Sequence, residues 1–256
     1  MTTIRHDNLD FNIRTEGPEG APWIVFSNSL LTNLHLWDNQ VAAFAGRFRT
    51  LRYDQRGHGG TTVPPGPTTI TQLSDDIAAI MTRLGIARAH FVGCSMGAAT
   101  GIALAQRHPD LVDRLLCSDG NAATAPGGAK GWEDRIEAAR RSDPAGTADA
   151  TIARWFANTD SPAVPAVRRM IETTPLDGFI ACARALQDYE FTPGLATMRQ
   201  PTLFLAGAQD GVMPQSMPRL ATQVPNGRYE EIPDAGHLPC IEQPTAFNAA
   251  MNDFLS

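Results

Sequence analysis

Short apolar runs alternate with amphipathic stretches along this chain, a pattern that predicts a parallel sheet covered by helices. The strand-like runs are Trp23–Phe26, Thr50–Tyr53, His90–Val92, Arg114–Cys117, Thr202–Ala206 and Tyr229–Ile232. Two shorter runs before Glu16 predict an antiparallel hairpin at the sheet edge. Thr69-Ile70-Thr71-Gln72 fits a capping box, in which a hydroxyl and an amide satisfy the free N–H groups of a helix start. Leu73, Ile77, Ile80, Met81 and Leu84 then share one helical face, and Gly85 suits a left-handed cap. Pro244–Leu255 reads as a terminal helix with Phe247, Met251 and Phe254 inward.

Between about Ala122 and Leu195 the strand-like runs disappear, and Gly and Pro punctuate short helices. The stretch is too long for an ordinary loop, and long insertions in compact domains are usually lids or binding elements. The expected organisation is an α/β core of residues 1–121 and 196–256, with residues 122–195 inserted as a helical cap. Such a cap would lie over the carboxyl ends of the strands, where open α/β sheets place their ligands.

Composition narrows the function classes. With 43% hydrophobic and 19% charged residues over 256 positions, the chain has globular composition and length for a sizeable core. The net charge of -6 argues against a nucleic-acid partner, because phosphate binding needs clustered Lys and Arg. The densest basic stretch, Arg135–Arg141, also carries Glu137 and reads as a solvated helix face. Met1–Glu16 is polar and lacks a signal-peptide core, and no apolar run approaches a membrane span. The four cysteines, Cys94, Cys117, Cys182 and Cys240, are widely spaced, which reads as a reduced cytoplasmic protein. Oligomeric state stays open, a homodimer included.

Gly93-Cys94-Ser95-Met96-Gly97 is a GxSxG with a strand running in and a helix, about Met96–Arg107, running out. In that context the motif forms a nucleophile elbow, with the Ser on a strained turn and Gly where side chains would clash. The plainer alternative is a Gly-rich turn with a buried capping Ser. Cys94 occupies the variable position and is read as packing.

A serine hydroxyl needs a base, and the base an orienting acid. His237, in Asp234-Ala235-Gly236-His237-Leu238-Pro239, lies on a loop between the last strand and the last helix, a position no other His shares. His90 lies in a strand, His108 at a helix end and His6 near the terminus, while His35 and His58 lie on loops that reach toward the site as neighbours. Asp210 ends the penultimate strand and is the favoured acid; Asp119, ending the strand after the elbow helix, is its rival. Asp210 could instead cap its loop as an Asx turn. For the oxyanion hole, the N–H of Met96 at the helix start is one donor. The N–H of Leu30, in Ser27-Asn28-Ser29-Leu30 after the strand Trp23–Phe26, is the second; the plainer reading is a surface turn.

These stretches resemble the α/β-hydrolase superfamily along the whole chain. Within it the chain looks most like the 3-oxoadipate enol-lactonases, through Ser27–Leu30, Leu51–Gly59, Ser95-Met96-Gly97, Arg154-Trp155-Phe156 and Cys182–Ala185 leading to Asp188. The resemblance implies a mostly parallel eight-stranded sheet with a helical cap. It also implies hydrolysis of a small carboxylated ester or lactone through Ser95, without metal or organic cofactor. Trp132, Trp155 and Arg154 are the substrate-binding candidates; Arg135, Arg168 and Arg184 are further cations that could meet a carboxylate, each expected more often at the surface. Departures are Ala98 and Leu31, where the resemblance leads to Gly, and an unusual early cap, Ala125–Gly131. Carbon–carbon bond hydrolysis, a simple carboxylesterase or perhydrolase, and a ligand receptor on the same fold are the competing readings.

Overall fold

The computed structural model describes residues 2–256. One sheet holds β1 (Thr2–His6), β2 (Leu9–Glu16), β3 (Trp23–Ser27), β4 (Arg49–Tyr53), β5 (Ala89–Cys94), β6 (Val112–Ser118), β7 (Thr202–Gly207) and β8 (Gly227–Ile232). Their order is β1-β2-β4-β3-β5-β6-β7-β8. β2 pairs antiparallel with β1 and β4, and all further neighbours are parallel. The edge hairpin turns at Asp7 and Asn8, both at positive φ, the geometry whose twist matches the flanking strands.

Side chains alternate across the sheet as the period of a strand requires. Ile24 and Phe26 of β3 face one core cluster and Val25 the other. The helices α1 (Asp38–Phe44), α2 (Ile70–Arg83) and α3 (Met96–Arg107) follow β3, β4 and β5. Thr69 and Gln72 form the reciprocal capping box of α2, the Thr69 hydroxyl accepting from the Gln72 N–H at 3.1 Å. Gly85, at φ +69°, ends the helix in the left-handed region. Small residues let α3 lie close to the sheet, with Ala99 and Ala103 in one cluster and Ala98 and Ile102 in the other.

Between β6 and β7 come α4 (Gly128–Arg141), α5 (Pro144–Trp155), α6 (Val164–Thr173) and α7 (Leu176–Gln187). A single bridge, Ala123 with Glu190, closes the base of this helical insertion. Flanking bonds from Thr124 N–H to the Tyr189 carbonyl (3.0 Å) and Phe191 N–H to the Ala122 carbonyl (2.8 Å) seal it. Leu195, at the end of the stretch read as cap, packs instead in the sheet-side core beside Phe204. After β7 come α8 (Met213–Ala221), α9 (Pro239–Glu242) and α10 (Pro244–Leu255); Phe247, Met251 and Phe254 of α10 are buried against the sheet.

The chain crosses from β3 to β4 on one side, then returns past β3 to β5 on the other. The loops leaving β3 and β5 therefore flank the crevice at the point where strand order reverses.

Thr69→Ala removes one half of the capping box while leaving the buried face of α2 intact. Urea unfolding of the variant should show a loss of about 1 kcal/mol with an unchanged m value.

Candidate active site

Ser95 follows β5 and precedes α3 at φ 54° and ψ -110°, outside the comfortable regions for an L-residue. A conformation of this kind costs about 1–3 kcal/mol and persists only where its surroundings enforce it. A Cβ on Gly93 would overlap the Gly97 carbonyl, and a Cβ on Gly97 would overlap the Ser27 carbonyl of β3. The turn is tied down by the Ser95 N–H, which donates to the Ser118 carbonyl at 2.8 Å, and by Ala98 and Ala99 N–H donating to the Ser95 carbonyl. Ala98 fits because its methyl faces Gly120, where a second Cβ would collide with it. Cys94 is fully buried, with its Sγ toward the His237 carbonyl at 3.6 Å, a packing role.

His237 and Asp210 meet: Nδ1 lies 2.7 Å from Asp210 Oδ2, and both side chains are largely buried. Asp119 does not approach the imidazole as a partner. Its Oδ1 accepts the Gly207 N–H at 2.8 Å and its Oδ2 lies 2.5 Å from the Ser118 hydroxyl. Burial, reinforced by the Asp210 charge, pushes the Asp119 carboxyl up toward its neutral form. The geometry therefore separates the two acids that the sequence left as rivals. The Ser95 hydroxyl shares a cavity with His237 and Asp210 but makes no hydrogen bond to the imidazole among the described residues. Such bonds often tighten only when substrate arrives.

The His237 loop is anchored from two directions. Its N–H donates to the Trp155 carbonyl at 2.6 Å, and the Trp155 ring lies 5.3 Å from the imidazole, centroid to centroid. Glu242 Oε1 accepts the Gly236 N–H at 2.9 Å and its Oε2 the Ala157 N–H at 2.8 Å. Glu242 escapes a sequence reading, because a Glu in a short helix has no local feature that sets it apart.

After β3 the chain is held by polar side chains of the segment that follows β4. Gln55 Nε2 donates to the Ser27 hydroxyl (2.8 Å) and the Asn28 carbonyl (3.1 Å). The Leu34 N–H reaches Asp54 Oδ1 at 2.7 Å, and the Leu31 N–H reaches His58 Nε2 at 3.0 Å. Leu31, where Gly was expected, sits at φ +64°. The Leu30 N–H has no protein partner among the described residues, and the Met96 N–H opens α3, where no intrahelical acceptor exists. His35, expected near the site, instead pairs with Asp38 (3.0 Å) at the surface. His90 and His108 pair with Asp113 and Asp75, and His6 lies 3.7 Å from Asp76.

A cavity of about 520 Å³ opens above Ser95, with Trp132, Arg135, Arg154 and Trp155 of the insertion in its wall. The four candidate cations divide cleanly. Arg168 is taken by Asp149 and Glu172, and Arg184 by Glu133 and Gln187. Arg135 and Arg154 have no carboxylate partner within ion-pair distance among the described residues, and Arg135 stacks over Trp132 with its guanidinium carbon 4.5 Å from the ring centroid. Solvent still reaches both side chains through the cavity. Even so, burial lowers both, Arg154 to about 10, with repulsion from Arg135 adding to the effect there. Arg135 is thus an exposed position of α4, as the sequence reads it, that also lines the cavity wall. The helical period of α4 could not reveal which of its exposed positions faces a neighbouring helix. Among the described residues no group of three or more His, Cys, Asp or Glu side chains is arranged to hold a metal, and no helix is long and apolar enough to cross a membrane.

The sequence profile of the alpha/beta hydrolase fold matches residues 22–244. The chain belongs to this family. It is 33% identical to 3-oxoadipate enol-lactonase 2 of Acinetobacter baylyi, over 97% of this chain and 94% of that protein. The crystal structure of the enol-lactonase from Burkholderia xenovorans LB400 superposes with a TM-score of 0.93 at 36% identity, over 99% of both chains. A protein provisionally named carbamate hydrolase RutD, from Caulobacter sp. (strain K31), is 32% identical over 91% of this chain and 90% of its own length. The α/β-hydrolase fold and the hydrolase class read from the sequence agree with these findings.

If Asp210 orients the imidazole of this α/β-hydrolase, Asp210→Asn should lower kcat by about 10³- to 10⁴-fold. Asp119→Asn, which can still accept from Gly207, should stay within about tenfold of wild type. Steady-state kinetics on p-nitrophenyl acetate compare the two; equal losses would return Asp119 to the acid role.

Proposed function

We propose that the protein is a serine hydrolase that opens a small carboxylated lactone, 3-oxoadipate enol-lactone being the substrate that its relatives' names suggest. The observation that carries this reading is a single cavity holding Ser95, the His237–Asp210 pair and two unpaired guanidiniums in its wall. The insertion 122–195 acts as a cap, and Arg154 and Arg135 meet the substrate carboxylate while Trp132 and Trp155 bound its ring.

Ser95 Oγ attacks the lactone carbonyl as His237 Nε2 takes its proton. The negative charge on the carbonyl oxygen is met by the N–H groups of Leu30 and Met96. Collapse of the tetrahedral species breaks the ring C–O bond and releases an enolate, which remains attached to the acyl chain. An enolate leaves more readily than an alkoxide, so this step asks little of the imidazolium as an acid. The proton that His237 took from Ser95 passes to the enolate carbon, directly or through water, giving the ketone and returning the imidazole to its neutral form. Water, deprotonated by His237, then attacks the Ser95 ester; the acid leaves and the serine regains its proton. Asp210 holds the Nδ1–H tautomer throughout and stabilises the imidazolium that forms within each half-reaction.

A carbamate would also be attacked by Ser95, with an amine or alcohol leaving in place of the enolate and taking its proton from His237, which gives the RutD relative a specific bearing on substrate. A panel of enol-lactone, small carbamates, a vinylogous diketone and aryl esters, compared by kcat/KM, tests the reading. Enol-lactone should lead; a carbamate or the diketone in first place would overturn the lactone assignment.

Arg154→Gln and Arg135→Gln should each raise KM for a carboxylated lactone about tenfold, a loss of about 1.4 kcal/mol in binding. Turnover of the uncharged p-nitrophenyl acetate should change less than about threefold. Equal effects on both substrates would show that the arginines do not read a carboxylate. Ser95→Ala should abolish turnover with an unchanged melting curve.

A further inference from the structure

The buried histidine at the turn after β4 is unused by the mechanism above, and both of its ring nitrogens are committed to main chain. His58 is about 1% exposed. Its Nδ1 lies 2.9 Å from the Arg56 carbonyl, which can only accept, so Nδ1 carries the proton. Its Nε2 is then a lone pair, and it receives the Leu31 N–H at 3.0 Å. Burial pushes the imidazole below its ordinary value, consistent with the neutral ring that this bond requires.

The residue next to Leu31 is the proposed oxyanion donor. The peptide unit before Leu30 is clamped through its Ser29 carbonyl, which accepts from the Thr32 N–H (3.2 Å) and the Thr32 hydroxyl (2.8 Å). In a trans peptide the N–H points opposite to the carbonyl, so this clamp aims the Leu30 N–H away from Thr32. The peptide unit after Leu30 has one side-chain anchor, the bond from Leu31 N–H to His58. Without it the Leu31 N–H would be an unpaired buried donor on a residue at φ +64°, a region that disfavours a Leu, with the 3.5 Å bond from the Thr174 hydroxyl to the Leu31 carbonyl as the nearest remaining tie, so that the Leu30–Leu31 peptide could reorient.

We propose that His58 is a positioning residue for the oxyanion hole, its Nε2 lone pair fixing the Leu30–Leu31 backbone so that the Leu30 N–H points at the developing oxyanion. The inference rests on the hydrolase reading and on Leu30 as a donor. It differs from a merely structural role for His58 because it places the energetic effect in the transition state. The Ser95 elbow, the His237–Asp210 pair and the two cavity arginines are all left in place when His58 changes.

The test uses His58→Leu, which removes the acceptor, and His58→Gln, whose Oε1 can accept the Leu31 N–H in its place. The wild type and Ser95→Ala serve as references. Each is assayed on p-nitrophenyl acetate for kcat and KM, for inhibition by phenylboronic acid, whose tetrahedral Ser adduct puts an oxyanion in the hole, and for thermal melting. His58→Leu should lose about 10- to 100-fold in kcat, with KM within about threefold, and should weaken the boronate by a similar factor. His58→Gln should regain most of both. If His58→Leu does not fold, Leu31 is replaced by its α-hydroxy acid, which deletes the same N–H and leaves His58 intact, with the same losses expected. An unchanged boronate affinity in the folded acceptor-less or N–H-less protein overturns the inference, as does an equal loss in the Leu and Gln variants. Absence of Ser95-dependent turnover in the wild type would overturn the hydrolase reading with it. Ser95-dependent turnover beside an unaffected His58→Leu would overturn this inference alone.

Discussion

The close seat of helix α3 against the ends of β3 and β5 sets where the candidate reacting groups lie. Two carbonyls, those of Gly97 and Ser27, occupy the space that side chains on Gly93 and Gly97 would need. With the helix drawn in so far, the chain between β5 and α3 must turn at one residue, and Ser95 takes the unfavourable backbone angles. The same approach brings the first free N–H of α3 beside the loop that leaves β3. The candidate nucleophile and the candidate oxyanion donors are thereby neighbours through main-chain packing, before any side chain contributes. Strain at Ser95 is sustained by the bond its N–H donates to the Ser118 carbonyl and by those its carbonyl accepts from the Ala98 and Ala99 N–H groups, which a relaxed turn would forfeit.

Around that centre the ionisable groups are sorted by burial. Asp119 lies deeper than Asp210 and is held toward its neutral form, so the pair does not place two carboxylate charges side by side. Asp210 is left to interact with the imidazole. The cavity wall also carries Arg135 and Arg154, which repel one another and have no carboxylate within ion-pair distance among the described residues, while the Asp210 charge acts favourably on Arg154. An anion held between them would relieve that repulsion.

Much of this was legible in the sequence where the signal is local. The strand runs, the Thr69–Gln72 box, Gly85 and the small residues around Ser95 each act within a few positions, and the structure shows them where the sequence placed them. The candidate acid needed three dimensions, since Asp119 and Asp210 both end strands and only packing depth separates them. Long-range polar pairing was equally silent. Glu242 meets Ala157 across 85 positions and His58 meets Leu31 across 27, and neither pairing leaves a period or a motif behind. The arginines make the same point: 135 and 154 differ from 168 and 184 only in whether an acid on a neighbouring helix faces them. At Leu31, where the resemblance led to Gly, the structure shows a left-handed backbone, the conformation that favours Gly, with a Leu in place.

One connection ties the cavity roof to its floor. Arg154 lines the cavity, Trp155 holds the His237 N–H through its carbonyl and covers the imidazole with its ring, and Ala157 is bound by Glu242, which also holds Gly236. These three residues of one short segment therefore touch both the cavity and the loop that carries the candidate base. Close-packed contacts of this kind transmit displacement rather than absorb it. A shift of α5 large enough to widen the cavity would draw the imidazole with it, so access to the pocket and alignment of His237 with Asp210 are not independent variables in this fold.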